Sequence, residues 1–123
     1  MRLRRELHAL GFRFRLHAKD LPGKPDLVLK KHNAAIFVHG CFWHRHRDCR
    51  LASTPASNSG FWADKFARNV ERDRQAMEAL RDTGWRVAIV WECGLRRKDT
   101  SIVIELTRQW LLSDDPQLEL PRP

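Results

Sequence analysis

A chain of 123 residues fits one domain and leaves no room for two independent cores. Its 42% hydrophobic content, with five Trp and six Phe, can offset the entropy of ordering a chain and excludes a disordered protein. Twenty-three Lys and Arg against fifteen Asp and Glu give a formal charge of +8, which favours nucleic acid as a partner over an acidic small molecule.

Leu3, Leu7 and Leu10 recur at helical spacing and Gly11 follows as a stop, predicting a helix over residues 1–10. Phe12, Phe14 and Leu16 then alternate with Arg13, Arg15 and His17, the period of a half-buried strand with a basic outer face. After the break at Pro22-Gly23-Lys24-Pro25, residues 26–29 read as a short strand. Lys31-His32-Asn33 reads as its turn, and Ala34-Ala35-Ile36-Phe37-Val38 as a hairpin partner buried on both faces. Residues 40–60, rich in Cys, His, Arg, Ser and Pro, show no periodicity, so their order must come from something other than a core. Residues 61–82 predict the strongest helix, with an apolar stripe of Phe66, Val70, Met77 and Leu80 interrupted by Asp73. Residues 85–91 are rich in β-formers and predict a central strand, and residues 100–112 an amphipathic helix around Ile104, Leu106 and Trp110. The last ten residues, with three Pro, read as a tail, leaving one α/β domain over 1–112. No run approaches the ~20 apolar residues of a membrane span. The Arg-rich start lacks the apolar stretch of a secretory signal, so a cytoplasmic location is expected.

Three Cys cannot pair off internally, and metal binding or burial must explain them. Cys41, His44, His46 and Cys49 lie within nine residues, and Cys93 could add a further sulfur, a donor set suited to a structural tetrahedral zinc. Spacing alone leaves open whether His44 or His46 is the ligand, and the competing reading is small buried thiols with solvated imidazoles. Asp26, opening a strand after Pro25, suits either a metal-ligating carboxylate or a turn residue capping the backbone. A carboxylate on an apolar helix face needs a partner, so Asp73 should pair with an Arg or orient an imidazole such as His44. Phe42-Trp43 and Phe61-Trp62 put large aromatics where no local pattern buries them, suited to stacking on bases or to covering the metal loop.

Taken together, Pro22-Gly23-Lys24-Pro25-Asp26, the string from Phe37 through His39-Gly40-Cys41-Phe42-Trp43-His44, Asn69-Val70-Glu71-Arg72-Asp73, Gly84-Trp85-Arg86-Val87 and Trp91-Glu92-Cys93 resemble the Vsr very-short-patch-repair endonucleases. The resemblance covers about Leu3 to Leu112 and implies a type II restriction-endonuclease-like fold, a central mixed sheet flanked by helices with a zinc-stapled loop. It implies a Mg²⁺-dependent enzyme that nicks one strand of double-stranded DNA 5′ to the T of a T:G mismatch, in repair of deaminated 5-methylcytosine. By that resemblance Asp26 and the Val38 carbonyl hold Mg²⁺, His44 is the general base, and His39 and Asp73 support it. His46 then joins Cys41, Cys49 and Cys93 on zinc, Phe42, Trp43 and Trp62 form a wedge, and Lys65 and Asn69 read a groove. A monomer at the nucleoid and a MutL-type repair partner fit the same picture. Family members carry an additional N-terminal stretch, and Met1 stands inside the helix it would join, so this form is expected to nick poorly. The rival classes are a zinc-stapled DNA-binding module without catalysis and a dimeric restriction nuclease.

Overall fold

The computed structural model describes residues 2–96 and 100–121. Helix α1 (Arg2–Ala9) leads into strand β1 (Arg15–Leu16), then β2 (Leu27–Leu29), a 3-10 turn (Lys30–His32) and β3 (Ala34–His39). Next come the long helix α2 (Ser59–Asp82), β4 (Arg86–Trp91), the short α3 (Glu92–Arg96), α4 (Thr100–Leu111) and β5 (Gln117–Leu120). One five-stranded sheet runs in the order β1-β2-β3-β4-β5. The first two pairings are antiparallel and the last two parallel, so the sheet is mixed.

The apolar run of β3 is buried throughout except at Val38, because both faces of the sheet are covered. On one face Leu3 and Leu7 of α1 meet Leu27, Leu29, Ile36, Val90, Ile104 and Leu111. On the other, Met77 and Leu80 of α2 meet Ala35, Phe37 and Val87. Gly23 sits where α2 and β3 pinch the Pro22–Pro25 turn: at φ +72°, a Cβ there would lie 2.8 Å from Ala76 Cβ and 3.0 Å from the Phe37 ring. Only glycine combines that backbone with that clearance. The turn therefore hands Asp26 to β2 in a fixed place.

Several expectations need correction. The segment read as a tail supplies β5, which pairs in parallel with β4 through Val90↔Leu120 and buries Leu120 in the core. Prolines at 116 and 121 bound this four-residue edge strand, where a missing N–H is tolerated, and their density mimics a linker. Arg86 ties this end of the chain down, donating to the carbonyls of His32 and Trp110 and to the Asp115 carbonyl just before β5. The 12–16 strand shrinks to two exposed residues, since Phe12 turns into the core from the loop after α1. Val70 faces solvent at 45% exposure, so the apolar stripe of α2 is broken there: Phe66 is buried before it, and Met77 and Leu80 past Asp73 pack on the sheet. Helix α3 carried no periodic signal because it is barely one turn long.

Candidate active site and metal centre

The parallel strands β3 and β4 end side by side at His39↔Trp91, and the chemistry-bearing residues gather around those carboxyl ends. Just past β3, Cys41 is fully buried, with its N–H donated to Glu92 Oε1 at 3.1 Å. Cys93, one residue into the following α3, comes from the neighbouring strand's end. Between them the loop folds back, and ligand atoms of Cys41, His46, Cys49 and Cys93 all lie within 4.8 Å of one another. None of the three cysteines forms a disulfide among the described residues. His46 Nδ1 is 3.6 Å from Cys41 Sγ and 3.5 Å from Cys93 Sγ, so Nδ1 is the ring nitrogen that faces the sulfurs. Burial pushes the Cys41 thiol up to about 12, so a thiolate in that place needs a cation beside it. Three thiolates and one imidazole converging from three directions fit a tetrahedral zinc with no open position. His44 is not part of this group.

The second group is His39, His44 and Asp73, again with ligand atoms within 4.8 Å. His44 Nδ1 lies 2.5 Å from Asp73 Oδ2, and the two imidazoles stack with centroids 3.9 Å apart and planes at 3°. A ring that donates Nδ1–H to a carboxylate turns its Nε2 outward as an acceptor. Burial lowers His39 to about 4, with the His44 charge adding to it and the Asp73 carboxylate opposing, so His39 stays neutral at physiological pH. The interrupted stripe on α2 thus has its explanation: Asp73 pairs with an imidazole rather than with Arg72 or Arg74.

Asp26 belongs to neither group. Its Oδ2 accepts the Val38 N–H at 2.6 Å, and its Oδ1 faces His17 Nδ1 at 3.7 Å. The carboxylate is 27% exposed and spans the gap between the start of β2 and the end of β3, next to the residue before His39. Two oxygen donors, a carboxylate and the Val38 carbonyl, fit the hard-ligand preference of Mg²⁺.

A cleft lined by Trp43, His44, Lys65, Asn69, Arg72 and Asp73 opens over the His44–Asp73 pair. Phe42, Trp43, Trp62 and Phe66 form one aromatic cluster, with Phe42–Phe66 at 5.2 Å and Trp43–Trp62 at 5.8 Å. Phe42 and Trp62 are half-buried, while Trp43 at 45% and Phe61 at 57% exposure reach into solvent. Lys65 Nζ lies 5.7 Å from the Trp43 ring and Asn69 Nδ2 donates to the Trp43 carbonyl at 3.3 Å, so α2 carries the loop that bears Trp43.

Sequence reading missed four contributors. Arg45, at φ +55°, donates to the carbonyls of Phe42, Ala52 and Ser53 and to Thr54 Oγ1, and lies 4.0 Å over the Phe66 ring. Trp91 stacks on His46 at 4.3 Å and meets the His39 ring edge-on at 5.3 Å, linking the two groups. Glu119 of β5 in turn accepts the Trp91 Nε1–H at 3.0 Å. His17 was legible only as part of a basic strand face. None of these has a spacing signature: Trp91 and Glu119 act across the fold, and Arg45 and His17 act through irregular loops.

Comparison with known proteins agrees with this geometry. The family model described as DNA mismatch endonuclease Vsr matches residues 1–51. The chain is 39% identical over 122 residues to the DNA mismatch endonuclease Vsr of Escherichia coli, covering 97% of this chain and 78% of that protein. It is 51% identical over 89 residues to the type II nicking enzyme V.XorIIP of Xanthomonas oryzae, covering 72% of this chain and 65% of that enzyme's length. With the type II nicking enzyme V.NmeAIP of Neisseria meningitidis it shares 43% identity over 96 residues, 78% of this chain and 68% of that one. A mixed sheet with these two residue groups at its carboxyl edge, and a relative of this similarity along nearly the whole chain, lead to one conclusion: the chain belongs to the Vsr DNA mismatch endonuclease family.

Proposed function

We propose that this protein is an endonuclease that nicks one strand of mismatched DNA, 5′ to the T of a T:G pair, in very short patch repair. The observation that carries the reading is the His44–Asp73 pair at the base of a cleft edged by an exposed Trp and by basic and amide side chains. Its fold, on this reading, is the type II restriction-endonuclease architecture, and it works as a monomer on cytoplasmic, nucleoid DNA, with a MutL-type protein as a repair partner. A charge of +8 suits the phosphate backbone.

His44 Nε2 takes the proton from the water that attacks phosphorus, while Asp73 holds the ring through Nδ1 and stabilises the imidazolium that forms. His39, neutral and stacked beneath, keeps that ring in plane and out of bulk solvent. Asp26 and the Val38 carbonyl would hold Mg²⁺, which when bound neutralises phosphate charge and assists the departing oxygen. Cys41, His46, Cys49 and Cys93 would hold zinc and so set the loop between Gly40 and Asn58, which bears Phe42, Trp43 and His44, against α2. Phe42, Trp43 and Trp62 enter the duplex beside the mismatch, where unstacking costs less than in paired DNA. Lys65 and Asn69 lie beside them on α2 to meet base edges.

Nicking assays on T:G and fully matched duplexes in Mg²⁺ test the reading. Cleavage of the T strand in the mismatched duplex alone is expected. Tight binding without cleavage of either would instead favour a zinc-stapled DNA-binding module.

A further inference from the structure

Resting on the reading above, we propose that Arg72 is the phosphate clamp of the cleft, gripping the non-bridging oxygens of a backbone phosphate beside the His44–Asp73 pair. Lys65, Asn69 and Arg72 follow one another at i, i+4 and i+7 and line the same cleft from one face of α2. The first two already engage the Trp43 loop, one over its ring and one on its carbonyl. Arg72 is exposed, and among the described residues it makes no hydrogen bond or ion pair, although it adjoins Asp73 in sequence. Its carboxylate neighbour is taken by His44 at 2.5 Å.

Two residues further along the helix the situation is reversed. Arg74 donates to Glu71 at 2.9 Å and to Glu78 at 2.6 Å, so its guanidinium is saturated along the helix and does not line the cleft. Of the four Arg on this helix, Arg74 is committed along it, and Arg72 is the one that borders the general-base pair. A planar guanidinium offers two parallel N–H donors to a phosphate, and it strengthens its grip as charge grows on the oxygens during attack. Arg72 is thereby a binding group that also favours the transition state.

The experiment measures binding of the full 123-residue chain to labelled duplexes with and without a T:G pair, by fluorescence anisotropy across a salt series, and nicking in parallel. Arg72→Ala should lower the slope of log affinity against log salt by about 0.9 on both duplexes, the share of one phosphate contact. It should also slow nicking on the order of 10²-fold. Arg74→Ala removes the same charge and should leave slope and nicking unchanged. Arg72→Lys should keep the slope but recover only part of the rate, because a point charge replaces a fork. An Arg72→Ala slope equal to wild type, or equal losses in Arg72→Ala and Arg74→Ala, would overturn the proposal. Because the slope is read from binding to any duplex, it stands apart from the endonuclease reading: a wild type that binds but never nicks sinks that reading and leaves the clamp measurable.

Discussion

Single side chains decide the chemistry here. Removing the His44 imidazole should cost about 10²–10⁴-fold in nicking rate, the usual worth of a positioned general base, with mismatch binding largely kept. Asp26→Ala should abolish nicking in the same way, whereas Asp73→Ala should be milder, since His44 stays in place on the His39 ring at 3.9 Å. Single-turnover nicking alongside anisotropy separates the two effects, and near wild-type nicking by Asp26→Ala would refute its assignment. Trp43 is a different kind of residue, with 45% of its surface exposed and no role in the core. Trp43→Ala should weaken T:G binding by about 1–3 kcal/mol and matched DNA by less, as expected of a base-stacking group. Equal losses on the two duplexes would mark Trp43 as a loop-packing residue instead.

At the scale of elements, the loop between β3 and α2 has no regular structure beyond turns, and two devices are placed to order it. One is the Cys41, His46, Cys49 and Cys93 set; the other is Arg45, with donors to four oxygens in the loop. Purified protein should hold one equivalent of zinc, and chelation should open tryptic cleavage at the exposed Arg47 and Arg50 while the sheet persists. Mass spectrometry of the fragments, beside metal analysis, reads this directly; a loop equally protected before and after zinc removal would mean that Arg45 alone suffices. Gly23 tests the other approach to the site. Gly23→Ala should destabilise the fold by about 1–3 kcal/mol in denaturant melts, because neither Ala76 nor the Phe37 ring, both held between α2 and the sheet, can give way to a Cβ at 2.8 Å and 3.0 Å. An unchanged midpoint would show that the turn can shift.

For the molecule as a whole, β5 connects the end of the chain to the functional edge. Leu120 is 1% exposed in the main core, and Leu120→Ala should cost about 2–5 kcal/mol by calorimetry or denaturant titration. Glu119 on the same strand holds Trp91, and Trp91 touches both His46 and His39, so deleting residues 113–123 should loosen zinc as well as lower stability. A truncated chain with wild-type melting and zinc retention would show this strand to be dispensable. Much of the rest was legible beforehand. The stripe of leucines in α1, the apolar run of β3, the long α2 and the β-rich run of β4 each carry a local period that burial on one or both faces dictates. The cysteine and histidine spacing announced a cluster able to hold a metal for a similar local reason, since three of its four members lie within nine residues.

What the sequence by itself determined is therefore most of the elements, a cluster of Cys and His able to hold a metal, and the family. Tertiary structure alone decided which imidazole serves which group, because His44 and His46 differ by two positions in a turn whose direction no periodicity encodes. It alone joined β5 to the sheet, where four residues flanked by prolines gain order only by pairing with β4. It alone left the Arg72 side chain without a hydrogen bond or ion pair among the described residues while Arg74 is engaged by Glu71 and Glu78, since a guanidinium's partners depend on which helix face meets the cleft. Local periodicity records what a residue buries; which side chains converge on one point depends on contacts far apart in the chain, and those exist only once the sheet has formed.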